Sequence, residues 1–128
     1  IDVWSLAKAL GDRMQLSTLY AGLRPFGVSF LVGGVDSTGS HLIEADPSGM
    51  LYEWKAYAIG RGATLANKMF RDKHKEDMDE KAALKLVIDV IKKSEKISDI
   101  VKALEIAVIR KRDEKFYRLT EEQIRKLL

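Results

Sequence analysis

The chain has 128 residues, the size of one modest domain, and its 46% of hydrophobic residues is enough to build a core. Charged residues make up 32%, with 22 basic and 19 acidic side chains, and this balance excludes intrinsic disorder. The sequence contains no cysteine, which excludes disulfides, thiol catalysis and zinc sites built on cysteine.

The net charge does not by itself indicate a nucleic-acid-binding protein, and the sequence shows no membrane span. The net charge of +3 is small, and the two signs are interleaved along the chain. No apolar stretch is long enough for a membrane span, and no signal-peptide pattern is visible. We therefore expect a cytoplasmic protein.

The first predicted element is a helix, which Asp2 is placed to cap. Its apolar side chains recur at helical spacing and predict one buried stripe: Val3, Leu6, Ala7, Leu10 and Met14. Because the sequence opens inside this element without a methionine, we expect it to be a piece of a longer protein.

A turn marked by Gly22, Pro25 and Gly27 leads into a predicted strand. Residues 28–35 are apolar except at Ser29, a pattern that favours a strand covered on both faces. Turn-forming residues follow at 36–39.

Two more strands complete an antiparallel meander. Residues 41–45 read as the returning strand, and residues 50–57 carry aromatic side chains that favour β structure. Between them lies a tight turn, with proline at its second position and glycine at its fourth: Asp46, Pro47, Ser48 and Gly49.

The second half of the sequence alternates helices with short strands. Gly60 and Gly62 precede a predicted helix over residues 64–73. A charged link over residues 72–80 separates it from a second helix. The apolar stripe of that second helix is Ala83, Leu84, Val87, Val90 and Ile91.

The last elements are a hairpin and a short helix. Leu104, Ile106 and Val108 alternate with other residues and predict a strand, and residues 112–114 form a turn into a second strand at residues 116–119. Thr120 and Gln123 match the capping-box spacing of a final helix. The order of elements predicts an α+β fold with an antiparallel sheet, in one domain over residues 1–128.

Few residues of the sequence are suited to catalysis or to binding a metal, cofactor or anion. His41 and His74 lack a partner at metal-ligand spacing, so we predict no metal and no cofactor. Gly60, Arg61 and Gly62 before a helix could bind an anion, although a structural turn is favoured. We expect Trp4 and Trp54 to be core or interface residues.

Charged clusters have two interpretations each. The acidic residues of the 72–80 link indicate a solvated connector rather than a metal site. The basic residues between 110 and 118 lie beside Phe116 and Tyr117, a combination that can bind nucleic acid. Asp113 and Glu114 interrupt them, however, which favours protection of a sheet edge.

Residues 24–29 read R-P-F-G-V-S and resemble the same segment of proteasome α subunits, particularly archaeal ones. The similarity continues in order through G-x-D at residues 34–36, D-P-S-G at 46–49 and Y-x-x-K-A-x-A-I-G-x-G at 52–62, and reaches E-I-A at 105–107. The residues that carry it are Arg24, Pro25, Phe26, Gly27, Asp46, Pro47, Ser48, Gly49, Tyr52, Lys55, Gly60 and Gly62.

This resemblance implies a four-layer αββα sandwich of the N-terminal-nucleophile hydrolase type. It also implies a non-catalytic subunit, with no catalytic residue of its own, that forms a seven-membered outer ring and gates substrate entry for protein degradation. The implied partners are other α subunits, the catalytic β subunits and a regulatory ATPase. The named motif residues are expected to act in structure and assembly, with Arg24 either paired across a subunit boundary or exposed in a turn, and Gly27 allowing close backbone approach.

The family's first half has no counterpart here, including its gating segment. We therefore expect unpaired strand edges and apolar faces, and self-association of the isolated chain. Two other functions remain open at this point: a fragment of a catalytic β-type threonine protease, and a nucleic-acid-binding domain using residues 110–118.

Overall fold

The structure is a computed structural model that describes residues 1–19 and 27–128. Its helices and strands are α1 (Val3–Leu19), β1 (Phe30–Asp36), β2 (Gly39–Ala45), β3 (Leu51–Trp54), α2 (Ala63–Lys73), α3 (Glu80–Glu95), α4 (Ile100–Ala103), β4 (Ala107–Ile109), β5 (Phe116–Arg118) and α5 (Glu121–Arg125). These elements form two compact units. The first unit comprises Ile1–Lys55 and Arg110–Glu114, and the second comprises Ala56–Ile109 and Lys115–Leu128.

The first unit is a helix on an antiparallel sheet. Its strands lie in the order β1-β2-β3, and the register places Val32 opposite Ile43 and Ile43 opposite Glu53. Val3 and Ala7 of α1 are buried against Ile43, with Val32 and Leu51 packed around them. The predicted α+β class with antiparallel sheets is therefore confirmed.

The predicted first helix is confirmed, but its buried stripe is partly wrong. The buried residues of α1 are Val3, Ala7, Gly11 and Met14. Leu6, predicted inside, is 49% exposed. The small side chains at positions 7 and 11 let this face of the helix approach the sheet, and so turn Leu6 away. Asp2 caps the helix as predicted, because its Oδ1 accepts from the Ser5 backbone N–H at 2.6 Å.

Two strands of this sheet, β1 and β3, are shorter than predicted, whereas β2 begins two residues earlier than predicted, at Gly39. β1 begins at Phe30, and its residues are half-buried or exposed rather than covered on both faces. β3 ends at Trp54, because its pairing with β2 ends at Leu42. Aromatic propensity at Tyr57 does not extend a strand that has no partner there.

The second unit has two small cores. Ala66 and Phe70 of α2 pack with Val90 of α3, and Ile100 and Val101 of α4 pack with Ile124 of α5. β4 and β5 pair antiparallel, with Val108 opposite Tyr117. The helix predicted over residues 64–73 is confirmed by α2.

Two predictions for the second unit are partly wrong. On α3 the buried residues are Ile88, at 4% exposure, and Val90, at 1%; Val90 was predicted inside, whereas Val87, also predicted inside, is 37% exposed. Leu104 ends the helix α4 instead of starting a strand, and Asp99 caps the start of that helix. A four-residue helix has too few turns to show a period, so the alternation at residues 104–108 concealed it. The capping box at Thr120 and Gln123 is confirmed.

Across residues 1–19 and 27–128, no helix combines the length and the apolar character needed to cross a membrane.

Candidate functional site

The turn at Asp46, Pro47, Ser48 and Gly49 is organised by a carboxylate. Asp46 Oδ1 accepts from the backbone N–H groups of Ser48 at 2.9 Å and Met50 at 3.1 Å, and from the Ser48 hydroxyl at 2.5 Å. The Ser48 hydroxyl is the main cause that lowers the pKa of Asp46. The Gly49 N–H donates to the Asp46 carbonyl at 2.9 Å, and Gly49 has a φ of 90°. The predicted tight turn is confirmed, and its fourth position requires glycine.

This turn lies directly against α1. A Cβ added to Gly11 would lie 2.8 Å from the carbonyl oxygen of Gly49. A Cβ added to Gly49 would collide with the Gly11 carbonyl oxygen and lie 2.8 Å from the Gln15 nitrogen. Two backbones therefore touch through two glycines. Gly11 is a residue that the sequence analysis missed, since only its distant partner reveals its role.

A second glycine contact fixes the start of the same helix. A Cβ added to Gly34 would lie 2.7 Å from Cγ2 of Val3. Val3 also donates its backbone N–H to Asp36 Oδ2 at 3.0 Å. The end of β1 thus receives the first turn of α1 through one apolar and one polar contact.

Polar side chains surround this first turn of α1. The Thr38 hydroxyl donates to Asp36 Oδ1 at 2.6 Å and lies 2.5 Å from Nε2 of His41. His41 Nδ1 lies 2.6 Å from Glu53 Oε1, and an interaction with Trp4 also helps to lower the pKa of Glu53. We call Asp36, Thr38, His41 and Glu53 the His41 cluster.

The hydrogen bonds of the His41 cluster change the pKa of its members. The Thr38 hydroxyl, with the Val3 and Thr38 amides, lowers the pKa of Asp36 to about 2. The contact with Glu53 raises the pKa of His41, and the same contact lowers the pKa of Glu53. Both carboxylates are therefore held ionised and the imidazole is favoured in its charged form. His41 is a hydrogen-bonded histidine, in agreement with the non-ligand interpretation.

The opposite face of the sheet is largely apolar. Successive strand residues point to opposite faces, so Tyr52 and Trp54 lie on the face away from Ile43. Tyr52 is 42% exposed and Trp54 is 38% exposed. The Trp54 indole N–H donates to Glu44 Oε1 at 3.1 Å. The same face carries three half-buried aliphatic residues: Leu31, Val35 and Leu42.

The Gly60–Gly62 segment is a structural turn held by an ion pair. Gly60 and Gly62 have φ values of 88° and 78°, and Gly62 forms the N-cap of α2. Arg61 donates to Glu95 Oε2 from Nε at 3.0 Å and from Nη2 at 2.7 Å. The guanidinium considered for an anion site is therefore engaged by Glu95, which supports the turn interpretation. Lys55 lies exposed at a bend after β3.

Asn67 fixes the chain that precedes this turn. Its Oδ1 accepts from the Ala58 N–H at 2.8 Å, and its Nδ2 donates to the Ala58 carbonyl at 3.0 Å. One side chain thus satisfies both backbone groups of an irregular residue. The sequence analysis missed Asn67, because nothing in the local pattern names its partner.

The remaining candidate residues of the described chain form no metal site. Within the described part of the chain, no group of three or more potential ligands could hold a metal. A groove of about 460 Å³ lies beside α4 and α5, with Leu104, Ile106 and Phe116 among its lining residues. Lys111 and Arg112 are exposed in the turn that precedes β5.

Part of the family motif lies outside the described residues, namely Arg24, Pro25 and Phe26. Gly27 is exposed at a bend, and an added Cβ would meet none of the described atoms within 4 Å. Among the described atoms, no close backbone approach occurs at Gly27, whereas Gly11 and Gly49 show one.

Comparison with known proteins agrees with the motif resemblance. The Proteasome family, described as "Proteasome subunit", matches residues 1–109. The chain is 41% identical over 125 residues to "Proteasome subunit alpha" of Methanothermobacter thermautotrophicus, covering 98% of this chain and 50% of the relative. It is 42% identical over 124 residues to "Proteasome subunit alpha" of Pyrococcus abyssi, covering 96% and 46%.

A third relative, "Proteasome subunit alpha" of Methanosarcina thermophila, is 38% identical over 124 residues. The chain spans about half the length of the curated relatives it matches. The resemblance to archaeal α subunits is confirmed. The chain belongs to the proteasome subunit family.

Proposed function

We propose that the chain is part of a non-catalytic α-type subunit of the proteasome core particle. In this role it helps to form the seven-membered outer ring that gates substrate entry for protein degradation in the cytoplasm. Its partners are other α subunits, the β subunits and a regulatory ATPase, and neither nucleic acid nor membrane is among them. The observation that carries this proposal is the match of α subunits over 96–98% of the chain.

The motif residues described above support a structural role. Gly49, Gly60 and Gly62 set positive φ angles, and Asp46 closes a tight turn. Gly49 also brings the turn into contact with the α1 backbone. These residues determine the path of the chain and the position of a helix, which is what a wall of fixed shape requires.

We also propose that the sheet of the first unit belongs to a four-layer αββα sandwich. α1 covers one face, and the other carries apolar residues with Tyr52 and Trp54 more than a third exposed. Sheets in sandwiches pack face to face about 10 Å apart through such side chains. The second sheet of the complete subunit is the expected occupant of this face.

Residues 1–128 are proposed to form a single domain of that sandwich. One cooperative unfolding transition, seen by both circular dichroism and tryptophan emission, is the expected result for a single domain. Two separate transitions would contradict it. Light scattering on the same samples tests the expected self-association, which a stable monomer would contradict.

A chimera tests the ring-forming function. The half of the M. thermautotrophicus α subunit that matches this chain is replaced by residues 1–128, and the unmodified relative is the control. Electron microscopy and light scattering should show seven-fold rings for the chimera. A folded chimera that remains monomeric, while the control forms rings, would contradict the proposal.

Peptide hydrolysis tests the non-catalytic assignment separately. The chimera and the isolated chain should cleave a fluorogenic peptide no faster than buffer does. Cleavage that persists after repeated purification would favour the catalytic β-type alternative.

A further inference from the structure

The protons of the His41 cluster can be counted from its contacts. The single hydroxyl proton of Thr38 is donated to Asp36 Oδ1 at 2.6 Å. The contact of 2.5 Å between Thr38 Oγ1 and His41 Nε2 therefore needs its proton from the ring. At His41 Nδ1 the partner is a carboxylate oxygen of Glu53, which only accepts. Both ring nitrogens donate, so the arrangement is that of an imidazolium.

The two carboxylates beside this ring also interact with α1. Asp36 accepts from the Val3 backbone N–H at 3.0 Å, and Trp4 interacts with Glu53 and helps to lower its pKa. The side chains of His41 and Asp36 are only 14% and 13% exposed, so bulk water shields their interaction weakly. His41 thus lies between the two carboxylates that interact with the first turn of the helix.

Other charges reach this cluster from each neighbouring segment. Asp2, just before α1, repels Asp36, and the N-terminal ammonium offsets that repulsion at Asp2. Lys55, just after β3, attracts Glu53. His41 is the one imidazole among these groups, and imidazole is the side chain whose ordinary charge change falls between pH 5 and 8.

We propose that His41 is a proton-operated clamp that fixes the first turn of α1 to the sheet. With both nitrogens protonated, the ring binds Thr38 and Glu53 together. Loss of one proton leaves a ring lone pair facing an oxygen. Either Thr38 must then turn its hydroxyl from Asp36 to His41, or the ring must leave Glu53. Each change removes a hydrogen bond from a carboxylate that interacts with α1.

The pH dependence has a defined sign. Because the pKa of His41 is raised in the folded chain, the clamp contributes its full stability below the usual histidine value of about 6.5 and loses it as the pH rises through the raised value. Each unit of difference between the folded and unfolded titration midpoints corresponds to about a tenfold preference of the closed clamp for the proton. This inference does not depend on the proposed function.

Nuclear magnetic resonance of the 128-residue chain tests the clamp. The sequence has two histidines, and the variant H74Q assigns their ring signals. The Trp4 indole N–H and the Val3 amide should shift with the same midpoint as the His41 ring. The Trp54 indole, bound to Glu44, is an internal control that should not follow it.

Two variants separate a clamp from a bystander. H41Q should abolish the pH-dependent shift of the Trp4 indole, and E53Q should lower the His41 midpoint because the carboxylate that raises its pKa is lost. If H41Q does not fold, E53Q alone decides. A Trp4 shift that persists in H41Q, or an unchanged His41 midpoint in E53Q, would overturn the proposal.

Discussion

The helices of the two units reach their neighbours in different ways. α1 of the first unit touches the turn and the sheet where side chains are missing, with Gly11 against Gly49 and Val3 over Gly34. α2 and α3 of the second unit meet through side chains, with Ala66 and Phe70 packed on Val90. The first arrangement depends on backbone contact and the second on the fit of side chains.

This difference determines what each unit tolerates. A backbone contact has no rotamer to adjust, so an added methyl group forces the chain to move. A side-chain core responds mainly to the loss of volume and adapts in part. We therefore expect added atoms to harm the first unit most and removed atoms to harm the second unit most.

The largest effect is expected from Gly49→Ala. The substitution adds a Cβ at a φ of 90°, against the carbonyl oxygen of Gly11. Left-handed strain of about 1–2 kcal/mol and overpacking of about 1–3 kcal/mol together predict a loss of about 4 kcal/mol in the free energy of unfolding. Urea denaturation measures it.

Gly39→Ala is the matched control for that substitution. Gly39 has a φ of 115°, and an added Cβ meets no atom of the described residues within 4 Å. It should lose only the strain, about 1–2 kcal/mol. Equal losses at Gly39 and Gly49 would show that backbone contact with α1 is unimportant.

Removal of atoms from the second unit is tested by the neighbours Ile88 and Val87. Ile88→Ala should lower the free energy of unfolding by about 3 kcal/mol, because a side chain only 4% exposed leaves a cavity. Val87→Ala, at a position that is 37% exposed, should change it by less than about 0.5 kcal/mol. A larger loss of unfolding free energy for Val87→Ala than for Ile88→Ala would support the buried stripe that the sequence predicts for α3.

Asn67→Asp tests a polar contact of the second unit. An aspartate keeps the acceptor for the Ala58 N–H but cannot donate to the Ala58 carbonyl. The unsatisfied carbonyl and its repulsion from a carboxylate should cost about 2 kcal/mol at neutral pH. Lys68→Ala, at an exposed neighbouring position, is the control. A loss no larger than that of the control would remove Asn67 from the stabilising contacts.

The smallest effect is expected at the cap of α5. Thr120→Ala removes the oxygen that accepts from the Gln123 N–H at 3.2 Å, and should cost about 1 kcal/mol. Thr120→Ser retains that oxygen and should cost almost nothing. If both variants are equally destabilised, the methyl group rather than the hydroxyl matters.

The parts of the fold that were predictable depend on residues close together in the sequence. The turn at Asp46 and Gly49 and the box at Thr120 and Gln123 each span four residues, so the pattern contains both partners. The contact of Gly11 with Gly49 joins positions far apart, and no local pattern indicates it.

Prediction from the sequence also failed where apolar residues are adjacent and where an element is very short. Val87 and Ile88 are both apolar, so periodicity alone could not decide which one is buried. The His41 cluster combines side chains from the end of β1, the turn that follows it, β2 and β3, and was unpredictable without the register that brings His41 and Glu53 to one face. The motif residues were found by family resemblance, which gave their positions but not the contacts they make.

The two tryptophans of the chain report on the two faces of the sheet of the first unit. Trp4 interacts with Glu53 on the helix side, whereas the Trp54 indole N–H donates a hydrogen bond to Glu44 on the other side. Emission from a W54F variant would therefore monitor the helix side alone, and emission from W4F would monitor the uncovered side. A molecule that binds to one face of the sheet can therefore be located by which of the two variants changes its tryptophan emission, without an added dye.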